Sequence, residues 1–297
     1  MDKKSKVIFV NSFKGGAGKT TLALMYCINH VFYQKGQYEN VIYMDLDVLG
    51  TGTCYLFGEG RLTEENCFEK TGKPVEIELK LGDETGSIYI AHLNPELKNK
   101  SVFGTEYFIN HQRLAEEFLK NKILQFMKEQ ILKVPGTLLV LDCAPGFSSM
   151  EQALLQECYY LMLQGKVEVD EEYVTTLDST HMQKCIQCLN GIASGIPVAM
   201  EYRNINIVIN DLQNYSGYVD EVEPGTLEEK WKDIVSKICR NIHDSRVTIR
   251  KWKYSQEFAQ QSIYGSESAV ENHPEWYIFT DENYQTVYQT KDKEMRG

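Results

Sequence analysis

Apolar and polar positions alternate along the chain in a way that divides it into short buried strands separated by helices with one apolar face. Val7 to Val10 is a run of four apolar residues, and after a glycine-rich stretch Leu22, Ala23, Met25, Tyr26, Val31 and Phe32 continue at helical spacing. Asn40 to Leu46 reads as a second buried strand. Val75 to Leu81 alternates strictly, Ser87 to His92 reads as another strand, and the turn residues from Gly82 to Gly86 between them predict a hairpin or an added sheet edge. From Phe108 to Lys133 the apolar positions Leu114, Phe118, Ile123, Phe126, Met127 and Ile131 predict one or two amphipathic helices packed on the sheet. Further strands are expected at Thr137 to Gly146, Tyr173 to Leu177, Asn204 to Asn210 and from Arg246, with helices at Glu151 to Leu163 and His181 to Ala193. Strands alternating with helices predict an α/β fold. One domain over residues 1–297 is expected, since no Pro/Ser-rich linker divides the chain, with a polar tail at about 281–297 that lacks an apolar stripe.

The first strand, loop and helix carry the clearest chemistry. Gly15, Gly16 and Gly18 let the backbone turn its N–H groups inward around a phosphate chain, and the start of the helix adds its positive dipole end. Lys19 would reach the β- and γ-phosphates and the Thr20 hydroxyl would bind Mg²⁺. A ligand-free glycine turn explains this stretch less well, because three glycines, two lysines and two threonines follow an apolar strand. The strict phosphate-loop pattern nevertheless fails, since Phe13 stands where its first glycine belongs. Asp45 and Asp47 close the second strand, at the carboxyl ends of the strands where open α/β proteins bind ligands, although Asp45 could also cap the next turn. Asp142 ends a buried apolar run, a costly place for a charge unless it has a partner, and Mg²⁺ through water is the natural one.

The stretch Lys14 to Thr21 (Lys-Gly-Gly-Ala-Gly-Lys-Thr-Thr) resembles the deviant Walker A motif of the ParA/MinD family of P-loop ATPases. Asp45 to Gly50 resembles that family's Asp-x-Asp switch segment, and Asp142 to Gly146 its Asp-x-Pro-Pro-Gly Walker B segment, with Ala144 replacing the first proline. The resemblance implies a mostly parallel doubly wound sheet with helices on both faces, and an ATP-dependent homodimer in which Gly15, Gly16, Ala17, Gly18, Lys19, Thr20 and Thr21 hold Mg-ATP. Lys14 would reach the partner's nucleotide, Asp47 would orient the attacking water, and Asp142 would bind Mg²⁺ through water with Asp45 in support. By the same match Gly146 belongs to a switch that senses the γ-phosphate, and Asn210 meets the adenine edge, though asparagine at a strand end is also a good turn residue. The family's proline after the strand from Arg246 is missing, which leaves base contacts beyond Ile249 open. Tyr284 and Tyr288 near the C-terminus suggest a weaker alternative, the bacterial tyrosine kinases of the same superfamily, whose loop and switch sequences differ.

Charge and cysteine content narrow the outputs. The formal charge of −11, from 31 basic and 42 acidic residues, excludes indiscriminate coating of nucleic acid, so DNA binding would need a local patch. Arg246, Arg250, Lys251 and Lys253, interleaved with Trp252, are the candidate; the acidic clusters Glu168 to Glu172 and Asp220 to Glu229 read as solvated loops. Eight scattered cysteines, a charged N-terminus and no apolar run near the roughly 20 residues of a membrane span predict a cytoplasmic protein with free thiols and no membrane contact. Cys185 and Cys188, with His181 on the same expected helix, have metal-ligand spacing but would need a dimer to complete a tetrahedral site. Three outputs therefore stay open: DNA or plasmid partitioning or cargo positioning, a switch with an unknown protein partner, and a metal-cluster assembly ATPase.

Overall fold

A computed structural model describes residues 3–47, 52–58, 60–93, 105–146, 148–176, 179–195, 203–210, 246–252 and 269–289. Its strands are β1 (Ser5–Ser12), β2 (Asn40–Asp45), β3 (Val75–Leu81), β4 (Glu84–Ala91), β5 (Thr137–Pro145), β6 (Val167–Thr176), β7 (Asn204–Asn210), β8 (Arg246–Trp252) and β9 (Tyr284–Gln289). The helices are α1 (Lys19–Phe32), α2 (Gly52–Leu56), α3 (Phe68–Thr71), α4 (Thr105–Lys133), α5 (Ser149–Leu163), α6 (Ser179–Gly195) and α7 (Ala269–Asn272), followed by a 3₁₀ turn at Pro274–Tyr277. The nine strands form one sheet in the order β3-β4-β2-β5-β1-β6-β7-β8-β9. Pairing is parallel from β4 through β8, and β3 and β9 add antiparallel edges. The fold is the expected mostly parallel α/β sheet, including the hairpin of β3 and β4.

Continuous apolar runs in β1, β2 and β5 reflect burial on both faces, as parallel strands covered by helices require. Ile8, Val10, Tyr43 and Val140 pack with Leu22, Leu24 and Ile28 of α1 on one face. Phe9, Leu139 and Leu141 pack with Met127, Leu154 and Leu155 of α4 and α5 on the other. After β1 the chain crosses to β2 on one side, and β6 later joins β1 on its other side, so the turn after β1 opens at the point where strand order reverses.

One expectation is corrected. Glu168 to Glu172 is no solvated loop: it lies in β6, and Glu171 and Glu172 are buried. The physical reason is a set of partners distant in sequence. Arg203 grips Glu171 with Nε 2.7 Å from Oε1 and Nη2 2.6 Å from Oε2, the Tyr159 and Tyr173 hydroxyls also donate to Glu171, and Asn206 Nδ2 donates to Glu172 Oε1 at 2.8 Å. Part of the polar tail forms β9 against β8, where the ring of Tyr284 packs on Tyr26 and Phe279. The cluster Asp220 to Glu229, the segment Asn94 to Glu96, residues 253–268 and Gly50 lie outside the described residues.

Candidate nucleotide site

β1 delivers the chain to the loop 13–18, and its end is held from several directions. Ser12 Oγ donates to the Lys14 carbonyl at 2.8 Å, the Gly146 N–H donates to the Ser12 carbonyl at 2.7 Å, and the Phe13 ring stacks on Tyr173 with centroids 5.7 Å apart. Phe13 thus anchors the loop to β6, which gives the departure from the strict phosphate-loop pattern a structural purpose. Gly16 and Gly18 have φ of +76° and +97°, conformations that glycine adopts without steric cost. At Gly18 space demands glycine too: an added Cβ would come 2.8 Å from Asn210 Nδ2 and 2.9 Å from the Trp252 ring.

No side chain caps the start of α1 and its first turn holds no acidic residue, so the positive end of its dipole faces the loop. Lys14, Gly15 and Gly16 are exposed, whereas Ala17 and Lys19 are buried and Thr20 and Thr21 are half-buried. The carboxyl ends of β2 and β5 bring Asp45 and Asp142 into register beside each other, both buried, with the Asp47 N–H donating to Asp45 Oδ1 at 2.9 Å. Burial first, and then the negative charge of Asp45, raise the Asp142 carboxyl above the usual carboxylate range, against the pull of Lys19, the Thr20 hydroxyl and Tyr43. Asp142 Oδ2 accepts a hydrogen bond from the Tyr43 hydroxyl at 2.7 Å, while Oδ1 is buried with no hydrogen-bond partner. An open carboxylate oxygen next to a second carboxylate is the donor set that a hard divalent cation and its waters satisfy, so the residues fit Mg²⁺.

The structure therefore brings Lys19, Thr20, Asp45, Asp47 and Asp142 to one edge of the sheet. Asn210 reaches the same place from β7, where its Nδ2 donates to the Ala17 carbonyl at 2.8 Å. The tyrosine on Asp142 escaped the sequence reading, and its signal was present: Tyr43 stands two residues before Asp45 on the same face of a buried strand, where a phenol needs a polar partner.

Three of the candidate cations of the basic stretch lie in β8. Arg246 and Lys251 lie toward opposite ends of β8, and Arg250 turns inward, with Nη1 3.2 Å from the Tyr26 hydroxyl and 3.1 Å from that of Tyr284, its guanidinium over the Tyr284 ring. Trp252 is buried beneath Gly18, and Lys253 lies outside the described residues. On α6, Cys185 is buried in the core, which pushes its thiol up to about 12, and His181 Nδ1 engages Thr176 Oγ1 at 2.7 Å. Among the described residues no group of three His, Cys, Asp or Glu side chains stands together to hold a metal. No helix among them is long and apolar enough to cross a membrane.

No family model matches the sequence, and no curated protein sequence does. Solved structures do resemble the fold. The partition protein ParA of pNOB8 superimposes with a TM-score of 0.55 at 13% identity, over 94% of this chain and 82% of that one. McdA of Cyanothece in its apo form gives 0.51 at 12% identity over 92% and 95% of the two chains. A variant of the same McdA in complex with ATP gives 0.51 at 14% identity over 93% of each. The chain has the fold of the ParA/McdA group of P-loop ATPases, as its motifs predict.

Proposed function

We propose that this chain is a ParA-type ATPase, a single domain that binds Mg-ATP between β1 and α1, dimerises in that state and hydrolyses ATP to ADP. One observation carries the reading: an uncapped helix start, a buried lysine at position 19 and a buried Asp142 with one open oxygen converge at the carboxyl ends of β1, β2 and β5. In this reading Gly15, Gly16, Ala17, Gly18 and Thr21 wrap the phosphates, Lys19 contacts the β- and γ-phosphates, Thr20 holds Mg²⁺ directly, and Asp142 holds it through water with Asp45 behind. Bound Mg²⁺ supplies charge neutralisation at the phosphate oxygens. Asp47 positions the attacking water, and Lys14, whose exposure suits it to reach outward, completes the partner's site. Asn210 meets the adenine edge while bracing the loop through Ala17. Phosphoryl transfer needs positioning and charge neutralisation above all, which this set supplies.

For the output, DNA partitioning or cargo positioning is the reading that the ParA-like fold supports, and the inward turn of Arg250 favours a protein-partnered switch. The metal-cluster reading draws no support from α6, where Cys185 is packed into the core.

The reading is tested by binding of a fluorescent ATP analogue to Lys19→Ala, which should fall about 10- to 100-fold for the loss of charged phosphate contacts. Wild-type affinity in that variant overturns the site. The output is separated with Asp47→Ala, expected to hold ATP without hydrolysing it. DNA binding that appears with Mg-ATP, not with ADP, and weakens with salt identifies a partition ATPase; no DNA binding by the ATP-loaded variant identifies a protein-partnered switch.

A further inference from the structure

Behind the two carboxylates lies a buried hydrogen-bond chain that the proposed chemistry has not used. The Tyr43 hydroxyl sits 2.7 Å from Asp142 Oδ2 and 2.8 Å from Thr53 Oγ1, and all three side chains are buried. A phenol has one proton, and an ionised carboxylate only accepts, so Tyr43 donates to Asp142 and Thr53 must donate to Tyr43. The chain therefore runs in one direction, Thr53 to Tyr43 to Asp142. It occupies Oδ2 and leaves Oδ1 as the oxygen without a partner. Thr53 belongs to α2, the helix that follows the segment carrying Asp47. Hydrogen bonds from the surrounding shell orient a ligand carboxylate and commonly change metal affinity about 10-fold or more when lost.

We infer that Tyr43 and Thr53 are positioning residues for the metal: they hold Asp142 so that Oδ1 is presented to Mg²⁺, and they tie α2, next to the water-positioning segment, to that same carboxylate. This rests on the Mg-ATP reading above. Its consequence is selective, because the two hydroxyls bond to each other and to Asp142 rather than to the phosphate loop, so nucleotide affinity without metal is independent of them.

The test is nucleotide binding by Tyr43→Phe and Thr53→Val, titrated with Mg²⁺ and repeated in EDTA. Phe keeps the ring that fills the core, and Val keeps the shape of Thr, so each removes one hydroxyl and little else. Tyr43→Phe should require about 10-fold more Mg²⁺ for half-maximal enhancement of binding, with affinity in EDTA within about twofold of wild type. Thr53→Val should shift the Mg²⁺ requirement in the same direction and less, since it acts through Tyr43. An unchanged Mg²⁺ requirement in Tyr43→Phe, or, should that variant not fold, in Thr53→Val, overturns the inference. An equal loss of affinity with and without Mg²⁺ also overturns it, since that marks a merely structural role. Wild type is titrated first: if its nucleotide affinity does not respond to Mg²⁺ at all, the Mg-ATP reading itself fails and the positioning role with it.

Discussion

Glu171 in the middle of β6 and Asp142 at the end of β5 are both buried carboxylates on parallel strands, and they are treated in opposite ways. Glu171 accepts two hydrogen bonds from Arg203 and one each from Tyr159 and Tyr173, so both oxygens are satisfied. Asp142 has a second carboxylate, Asp45, as its neighbour in register and keeps an oxygen with no partner. The first arrangement is closed: desolvation is offset inside the protein, and Phe13 stacked on Tyr173 connects it to the loop. The second is open, and only something from outside completes it. The difference separates a buried charge whose partners all lie within the protein from one that, in the proposed reading, a cation completes.

Four substitutions test that contrast. The largest effect is expected for Arg203→Met, which strands Glu171 in the core; urea unfolding should show a loss of about 3–5 kcal/mol. Adding Glu171→Gln to it should recover much of that loss, and a double variant as unstable as the single one would mean that the pair is not closed in the sense described. Glu172 gives an intermediate case. Asn206 occupies one oxygen, the other has no partner, and burial raises its carboxyl to about 7 despite the charge of Arg250. Because this folded value lies above the ordinary 4.5, the native state binds the proton more tightly. Its contribution is then fully present below about pH 4.5, is lost as pH rises through 7, and is level above. Glu172→Gln should therefore stabilise the protein at pH 8 by on the order of 2 kcal/mol and flatten the loss between pH 4.5 and 7. A residual slope in that window is expected from Glu151, which burial also raises to about 7. The smallest effect belongs to Asp142→Asn without nucleotide: with one like charge gone from beside Asp45, thermal stability should hold or rise by about 1 kcal/mol while Mg²⁺-enhanced ATP binding is lost. A large destabilisation there would place Asp142 with Glu171, as a charge that holds the fold.

Much of the candidate site was legible because its information is local. The glycines, Lys19 and Thr20 sit within one strand-turn-helix unit, and the strand ends at Asp45 and Asp142 follow apolar runs that announce burial. Val75 to Leu81 and Asn204 to Asn210 were equally readable, since one alternates strictly and the other sets Ile205, Ile207, Val208 and Ile209 among asparagines. The acidic stretch from Glu168 was not. Its charges resemble a solvated loop until Arg203, 32 positions beyond Glu171, is brought against them. Arg250 looked like surface for the same reason, because the tyrosine hydroxyls that hold it come from α1 and β9.

From the sequence alone came the strand order of chemistry: a phosphate loop after the first strand, two carboxylate-bearing strand ends, and an α/β sheet to carry them. These follow from backbone freedom, periodicity and neighbouring residues, which act over a few positions of the chain. The tertiary structure decided which charges are closed and which are open, that Trp252 and Asn210 press on Gly18, and that Tyr43 links Thr53 to Asp142. Desolvation and hydrogen bonding act through space, so the state of a buried charge depends on partners that chain order does not reveal.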